Sequence, residues 1–67
     1  MNATKIQSTL GLKFAPTIYR SLSTANHSLM NMVKPCWTVM LGDHGYYMVV
    51  CMADASKLES AGYEYAN

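Results

Sequence analysis

The sequence has little that commits it to chemistry, to a membrane or to an oxidising compartment. Its 67 residues include two cysteines, two histidines, two prolines and four glycines, and only 13% are charged. Two cysteines, Cys36 and Cys51, fall short of the disulfide framework of small secreted domains. No positively charged segment followed by an apolar run opens the chain, so a reducing, cytoplasmic setting is expected. The cysteines are not spaced as a CxxC redox pair, and with His27 and His44 they lack the paired close spacing of a zinc site, so neither a metal nor another cofactor is expected. The longest apolar run, residues 46–53, is far shorter than the roughly 18 residues a membrane span needs. Glycine-rich phosphate loops are missing, as are repeats, linkers and low-complexity segments.

Positive charge is equally sparse. Lys5, Lys13, Arg20, Lys34 and Lys57 leave a net charge of +1 without clustering. Binding to nucleic acid through counterion release wants several cations on one face, so nucleic acid ranks last among the partner classes. The aromatic side chains Phe14, Tyr19, Trp37, Tyr46, Tyr47, Tyr63 and Tyr65 could stack on bases, but no basic groove accompanies them, and packing explains them more economically.

What is present in abundance is apolar surface, at 51% of the residues. A chain this short buries only about 60% of its unfolded surface and is marginal as a monomer. With disulfides and metal set aside, self-association or a partner is left to supplement it.

Along the chain, residues 1–10 are polar, with Ile6 as their main interruption, and read as a frayed N-terminus; a single small domain is expected over residues 11–67. Leu10, Leu12 and Phe14 alternate with Gly11 and Lys13, the period-2 signature of a half-buried strand. Pro16 breaks that strand or sits at an edge, and residues 17–20 resume extended structure. Ser21 or Ser23 can cap a helix whose apolar stripe runs through Leu22, Ala25, Leu29, Met32 and Val33, and Pro35 ends it near Val33. His27 lies on its polar side and reads as solvated.

Two runs rich in aromatic and β-branched residues, 36–41 and 46–52, flank the turn residues Gly42-Asp43-His44-Gly45 and predict a β-hairpin. A three-residue loop at Asp43-His44-Gly45 puts Gly45 in the left-handed region and pairs Leu41 with Tyr47, Val39 with Val49 and Trp37 with Cys51; a four-residue loop would set Cys36 opposite Cys51. Asp54 reads as the N-cap of a helix over 55–61, stopped by Gly62 with Tyr63 folding back over Leu58. Residues 63–65 alternate again and could add a short terminal strand. The predicted fold is α+β: a small antiparallel sheet of about three strands with two helices, in the order β-α-β-β-α with that terminal strand.

Both faces of the predicted hairpin are apolar. One carries Trp37, Val39, Leu41, Tyr47, Val49 and Cys51, the other Met40, Tyr46, Met48, Val50 and Met52 beside Cys36 and Thr38. An antiparallel sheet covered on one side normally has a polar second face. Two helices cover one face here, so the methionine-bearing face is expected to meet the N-terminal strand, a second copy or a foreign protein. Met40, Tyr46, Met48, Val50 and Met52 are therefore the candidate partner-binding residues, methionine being suited to adaptable surfaces.

Chemistry has weaker candidates. Asp43 and His44 read as turn formers rather than an acid–base pair, and Asp54, Glu59 and Glu64 as cap or surface residues. Cys51 or Cys36 as a nucleophile with His44 as its base would make a small thiol enzyme or redox protein. Buried small hydrophobes are the simpler reading, so no catalytic residue is assigned.

Residues Leu41-Gly42-Asp43-His44-Gly45-Tyr46-Tyr47-Met48-Val49-Val50, then Ala53-Asp54-Ala55 and Leu58-Glu59-Ser60-Ala61-Gly62-Tyr63-Glu64, resemble a class of very small bacterial and phage-borne proteins of unknown function. The likeness spans the C-terminal half, and His44 and Cys51 stand where more polar residues are usual in that class. It implies a mobile-element or accessory setting, in which short proteins bind and block a host protein. The leading expectation is accordingly a non-enzymatic protein-binding module, a homodimer or a blocker of a larger protein.

Overall fold

The computed structural model describes residues 2–31 and 36–66. Among them the elements run α1 (Ala3–Leu10), β1 (Thr17–Tyr19), α2 (Leu22–Asn31), β2 (Trp37–Leu41), β3 (Tyr47–Cys51) and α3 (Met52–Ser60). The fold is α+β, with an antiparallel sheet in the order β1-β3-β2.

The hairpin forms as its sequence predicts. Trp37 pairs with Cys51, Val39 with Val49 and Leu41 with Tyr47. The Gly42 N–H donates to the Tyr46 carbonyl at 2.7 Å, which closes the loop on Asp43, His44 and Gly45. Gly45 is left-handed at φ 80°, and His44 joins it at φ 55°, a region where a side chain is strained. Ser21 is the serine that caps α2, its hydroxyl accepting the Thr24 N–H at 3.2 Å. The end of that helix near Val33 falls outside the described residues.

At the other end of the chain, Gly62 stops α3 at φ 102°. The Tyr63 N–H donates to Leu58 and the Gly62 N–H to Glu59, both at 3.0 Å, the paired bonds of a Schellman end. The tail then lies along β2, with the Leu41 N–H on the Glu64 carbonyl at 2.8 Å and the Ala66 N–H on Val39 at 3.1 Å. The expected terminal strand is thus present as a single bridge between Met40 and Tyr65.

The N-terminus departs from expectation. Residues 3–10 are helical rather than frayed, and residues 10–14 do not form a strand. The Asn2 side chain caps the helix by accepting the Lys5 N–H at 3.0 Å, and Gly11, at φ 65°, ends it with the Leu12 N–H on the Gln7 carbonyl. Leu10 and Leu12 do share the core, but as a helix end and the turn after it, so their alternation was a by-product of the helix stop rather than a pleat.

That third helix changes how the sheet is covered. On the valine face, Val39 and Val49 pack with Ala25 of α2, flanked by Leu22, Leu29, Tyr19, Trp37 and Tyr47. On the methionine face, Met40, Met48 and Val50 pack with Ala55 and Leu58 of α3 and with Leu12, and Ile6 and Leu10 of α1 close the edge. Sheet and helices make three layers. The accessible surface is 4237 Å², and a compact monomer of 7.4 kDa is expected to expose roughly 4200 Å², so the chain carries no surplus surface.

Candidate functional site

The proposed partner face is the first place to look for function, and most of it is unavailable. Met40 and Met48 are completely buried and Val50 is 2% exposed, all three beneath α3 and Leu12. This corrects the expectation that the face awaits a partner: helix α3 lies on the methionine face and α2 on the valine face, where both had been assigned to one side. Of the five residues, Tyr46 is half-buried and Met52 alone is exposed.

Asp54 has a different job from the one its position suggests. Helix α3 starts two residues earlier, at Met52, with Cys51 in the N-cap position making no side-chain cap. The Asp54 carboxylate, 1% exposed, instead accepts the Lys13 N–H at 2.7 Å and the Phe14 N–H at 3.0 Å. Burial pushes its carboxyl upward in pKa, but those two amides, the Cys51 side chain and the Lys57 charge outweigh it and hold the group below its ordinary value of 3.8. Lys57 adds a second clip, its ammonium donating to the Gly11 carbonyl at 2.8 Å. Together the two residues fasten the connection between α1 and β1 to the first turns of α3.

The same clip assembles an apolar end of the molecule. It brings Phe14 to the start of β2, where its ring lies 5.6 Å from that of Trp37, tilted by 35°. The Met52 N–H donates to the Cys36 carbonyl at 2.7 Å, which puts Met52 and the exposed Cys36 at that end too. Helix α2 runs back along β1 and carries Met30 in its last turn. Phe14 is 44% exposed, Met52 46% and Met30 83%; among the described residues Leu41, at the hairpin turn, is the other large apolar side chain that stands out into solvent.

At the opposite end the tail meets the hairpin turn. The Tyr63 hydroxyl donates to Asp43 at 3.2 Å, tying the tail to the hairpin turn. Burial, the Asp43 charge and that bond push the phenol's pKa up, so it serves as a donor and not as a base. Two shallow clefts of about 380 and 420 Å³ meet at this pair, both lined by Asp43, Ala61 and Tyr63. The first continues along Gly62 and Glu64, the second along Lys5, Ile6 and Leu10 of α1.

The residues of the thiol hypothesis are not brought together. His44 sits in the turn, and the full length of β3, roughly 15 Å at ~3.3 Å per residue, separates it from Cys51. Cys36, at the far end of β2, is equally remote from it. Both thiols are free, Cys36 exposed and Cys51 buried. His27 is exposed on α2, as its place on the polar side predicts. Among the described residues no three His, Cys, Asp or Glu side chains converge as a metal site would require, and no helix is long and apolar enough to cross a membrane.

Sequence reasoning missed the apolar end altogether. Phe14 was placed in a strand, and only the clip on Asp54, 40 positions away, puts it beside β2. Comparison with protein-family profiles, with curated proteins and with solved structures finds no match to this chain.

Proposed function

We propose that the chain is a non-enzymatic protein-binding module, one that pairs with a second copy or blocks a larger protein, and that its contact is the apolar end rather than the methionine face. The observation that carries this reading is the exposure of Phe14 and Met52 at one end of the sheet, where the Asp54 clip and the Cys36 carbonyl hold them beside the half-buried Trp37. Interfaces are anchored by a few large aromatic and flexible apolar side chains ringed by polar ones, and Trp and Met are both enriched in them. The resemblance of the C-terminal half to small bacterial and phage-borne proteins supports an accessory, mobile-element setting, in the cytoplasm, for such a module.

The test couples sedimentation across the micromolar to millimolar range with binding of a hydrophobic dye, on the native chain and on a Phe14→Glu, Met52→Glu variant. Neither residue is buried, so the variant is expected to fold. Association or dye binding by the native chain, reduced in the variant, is the expected result. A strict monomer that binds no dye, or a signal the two substitutions leave unchanged, overturns the proposal.

A further inference from the structure

We infer that the cleft between α1 and the hairpin turn is a ligand site, separate from the apolar end, and that its ligand is a zwitterion of the ω-amino acid type, an ammonium and a carboxylate joined by an apolar chain. The cleft holds about 420 Å³, within the range of pockets that take small ligands. Three segments distant in sequence build it. Helix α1 supplies Lys5, Ile6 and Leu10, the turn supplies Asp43, and the stretch after α3 supplies Ala61 and Tyr63.

The charges single out the kind of ligand. Lys5 and Asp43 line the same cleft with opposite sign, yet they form no ion pair, and among the described residues the Lys5 ammonium meets no other acceptor. Asp43 accepts the Tyr63 hydroxyl at 3.2 Å on one carboxylate oxygen, and among the same residues its other oxygen has no partner. The floor is apolar: Ile6, Leu10 and Tyr63 pack on the methionine-face core and are half-buried. An apolar chain lying on that floor sets its ammonium between the Asp43 carboxylate and the Tyr63 ring, a favourable seat for a cation. Its carboxylate then meets Lys5 in the first turn of α1, the end of a helix that favours an anion. A ligand with a single charge satisfies one wall and leaves the other bare.

Both walls are in place before a ligand arrives. The bonds around Gly62 fix the course of Tyr63, the Tyr63 hydroxyl holds the Asp43 carboxylate, and Asn2 caps the turn that carries Lys5. The phenol's raised pKa keeps it a donor through neutral pH, so that hold persists. The charged groups on the rim are exposed, which sets the affinity in the millimolar range.

The probe is ε-aminocaproate, titrated into the isotope-labelled native chain and followed by the amide resonances of Lys5, Asp43 and Tyr63, with hexylamine and caproate as singly charged controls. Saturable shifts are expected with ε-aminocaproate, and binding about fivefold weaker with either control. Lys5→Ala should reduce the affinity for ε-aminocaproate to that for hexylamine and leave hexylamine unaffected. Asp43→Asn, which keeps an acceptor for Tyr63, should reduce it to that for caproate. Both positions are exposed, so both variants are expected to fold, and the comparison of the three compounds on the native chain requires neither. Nα-acetyl-lysine carries the same two charges on a peptide-like end; tighter binding than ε-aminocaproate names a carboxy-terminal lysine as the source of the ligand, weaker binding a free amino acid. Absence of saturable shifts with ε-aminocaproate, an affinity no higher than that of a control, or variants that bind it as the native chain does overturns the inference.

Discussion

The two faces of the sheet carry nearly equal apolar loads and are covered in opposite ways. On the valine face a single helix does the work: α2 lays Ala25 flat against Val39 and Val49, with Leu22 and Leu29 at the flanks. Two helices share the methionine face, α3 packed deeply through Ala55 and Leu58, and α1 resting on the edge through Ile6 and Leu10. Small contacts suffice on the first face because alanine lets the helix approach closely. On the second, long methionines fill the deeper space, and a polar clip at Asp54 and Lys57 sets the position of the connection that brings α1 over them. Apolar alternation on both faces of a hairpin is thus no sign of an unmet partner when the chain holds enough short helices to close both sides.

The largest test of that difference is truncation at matched depth. Met48→Ala on one face and Val49→Ala on the other both open cavities in fully buried sites. Losses of about 2–5 kcal/mol for the methionine and about 2 kcal/mol for the valine are expected in urea unfolding. A methionine that costs no more than a surface substitution would mean that its face is not part of the core.

Next in size is the clip. Asp54→Ala leaves two amide donors without their acceptor, at a cost of about 2–3 kcal/mol. Asp54→Asn keeps one acceptor and costs less. The native carboxyl titrates below its unfolded value of 3.8, so its contribution is full above that pH and is lost as the pH falls through the lower, folded value. The native chain is expected to lose stability steeply below about pH 4, and the asparagine variant to lack that component of the loss. Parallel acid profiles for the two proteins would remove Asp54 from the account.

A smaller contrast separates the two helices of the methionine face. Gly11 and Gly62 both sit at positive φ with open space where a side chain would project, so alanine at either incurs backbone strain alone, about 1–2 kcal/mol. At Gly62 the loss should appear in global unfolding, because α3 carries the core. At Gly11 most of it should appear as faster amide exchange in α1, with little change in the unfolding midpoint. Equal effects on global stability would show that α1 is as integral as α3.

Much of this architecture was legible in the residues. The hairpin followed from β-branched and aromatic runs around a turn. Its register stayed open between a three- and a four-residue loop, because both faces are apolar and a one-residue slip exchanges one greasy face for another. The observed pairing of Trp37 with Cys51 is that of the three-residue loop. The stop at Gly62 was readable from glycine followed by an apolar residue. Leu10-Gly11-Leu12 carries that same signal, yet α1 went unseen because eight residues with two apolar anchors make too thin a stripe against a polar background. Asp54 looked like a cap since local rules see only neighbours, and its true partners lie 40 and 41 positions away. The apolar end shares that cause: Phe14 and Met52 are distant in sequence, and the tertiary clip is what brings Phe14 to the start of β2. As for the methionine face, a side chain destined for a core and one destined for an interface obey the same alternation, and only the count of covering helices tells them apart.

Methionine oxidation reads that distinction without any substitution. Dilute native protein is exposed briefly to hydrogen peroxide, and sulfoxide formation at each site is followed by peptide mass spectrometry. Met30 and Met52 should oxidise rapidly while Met40 and Met48 stay protected until the chain unfolds. Oxidation of Met40 and Met48 at the rate of Met30, in protein that is still folded and monomeric, would contradict a sheet sealed on both sides by its own chain.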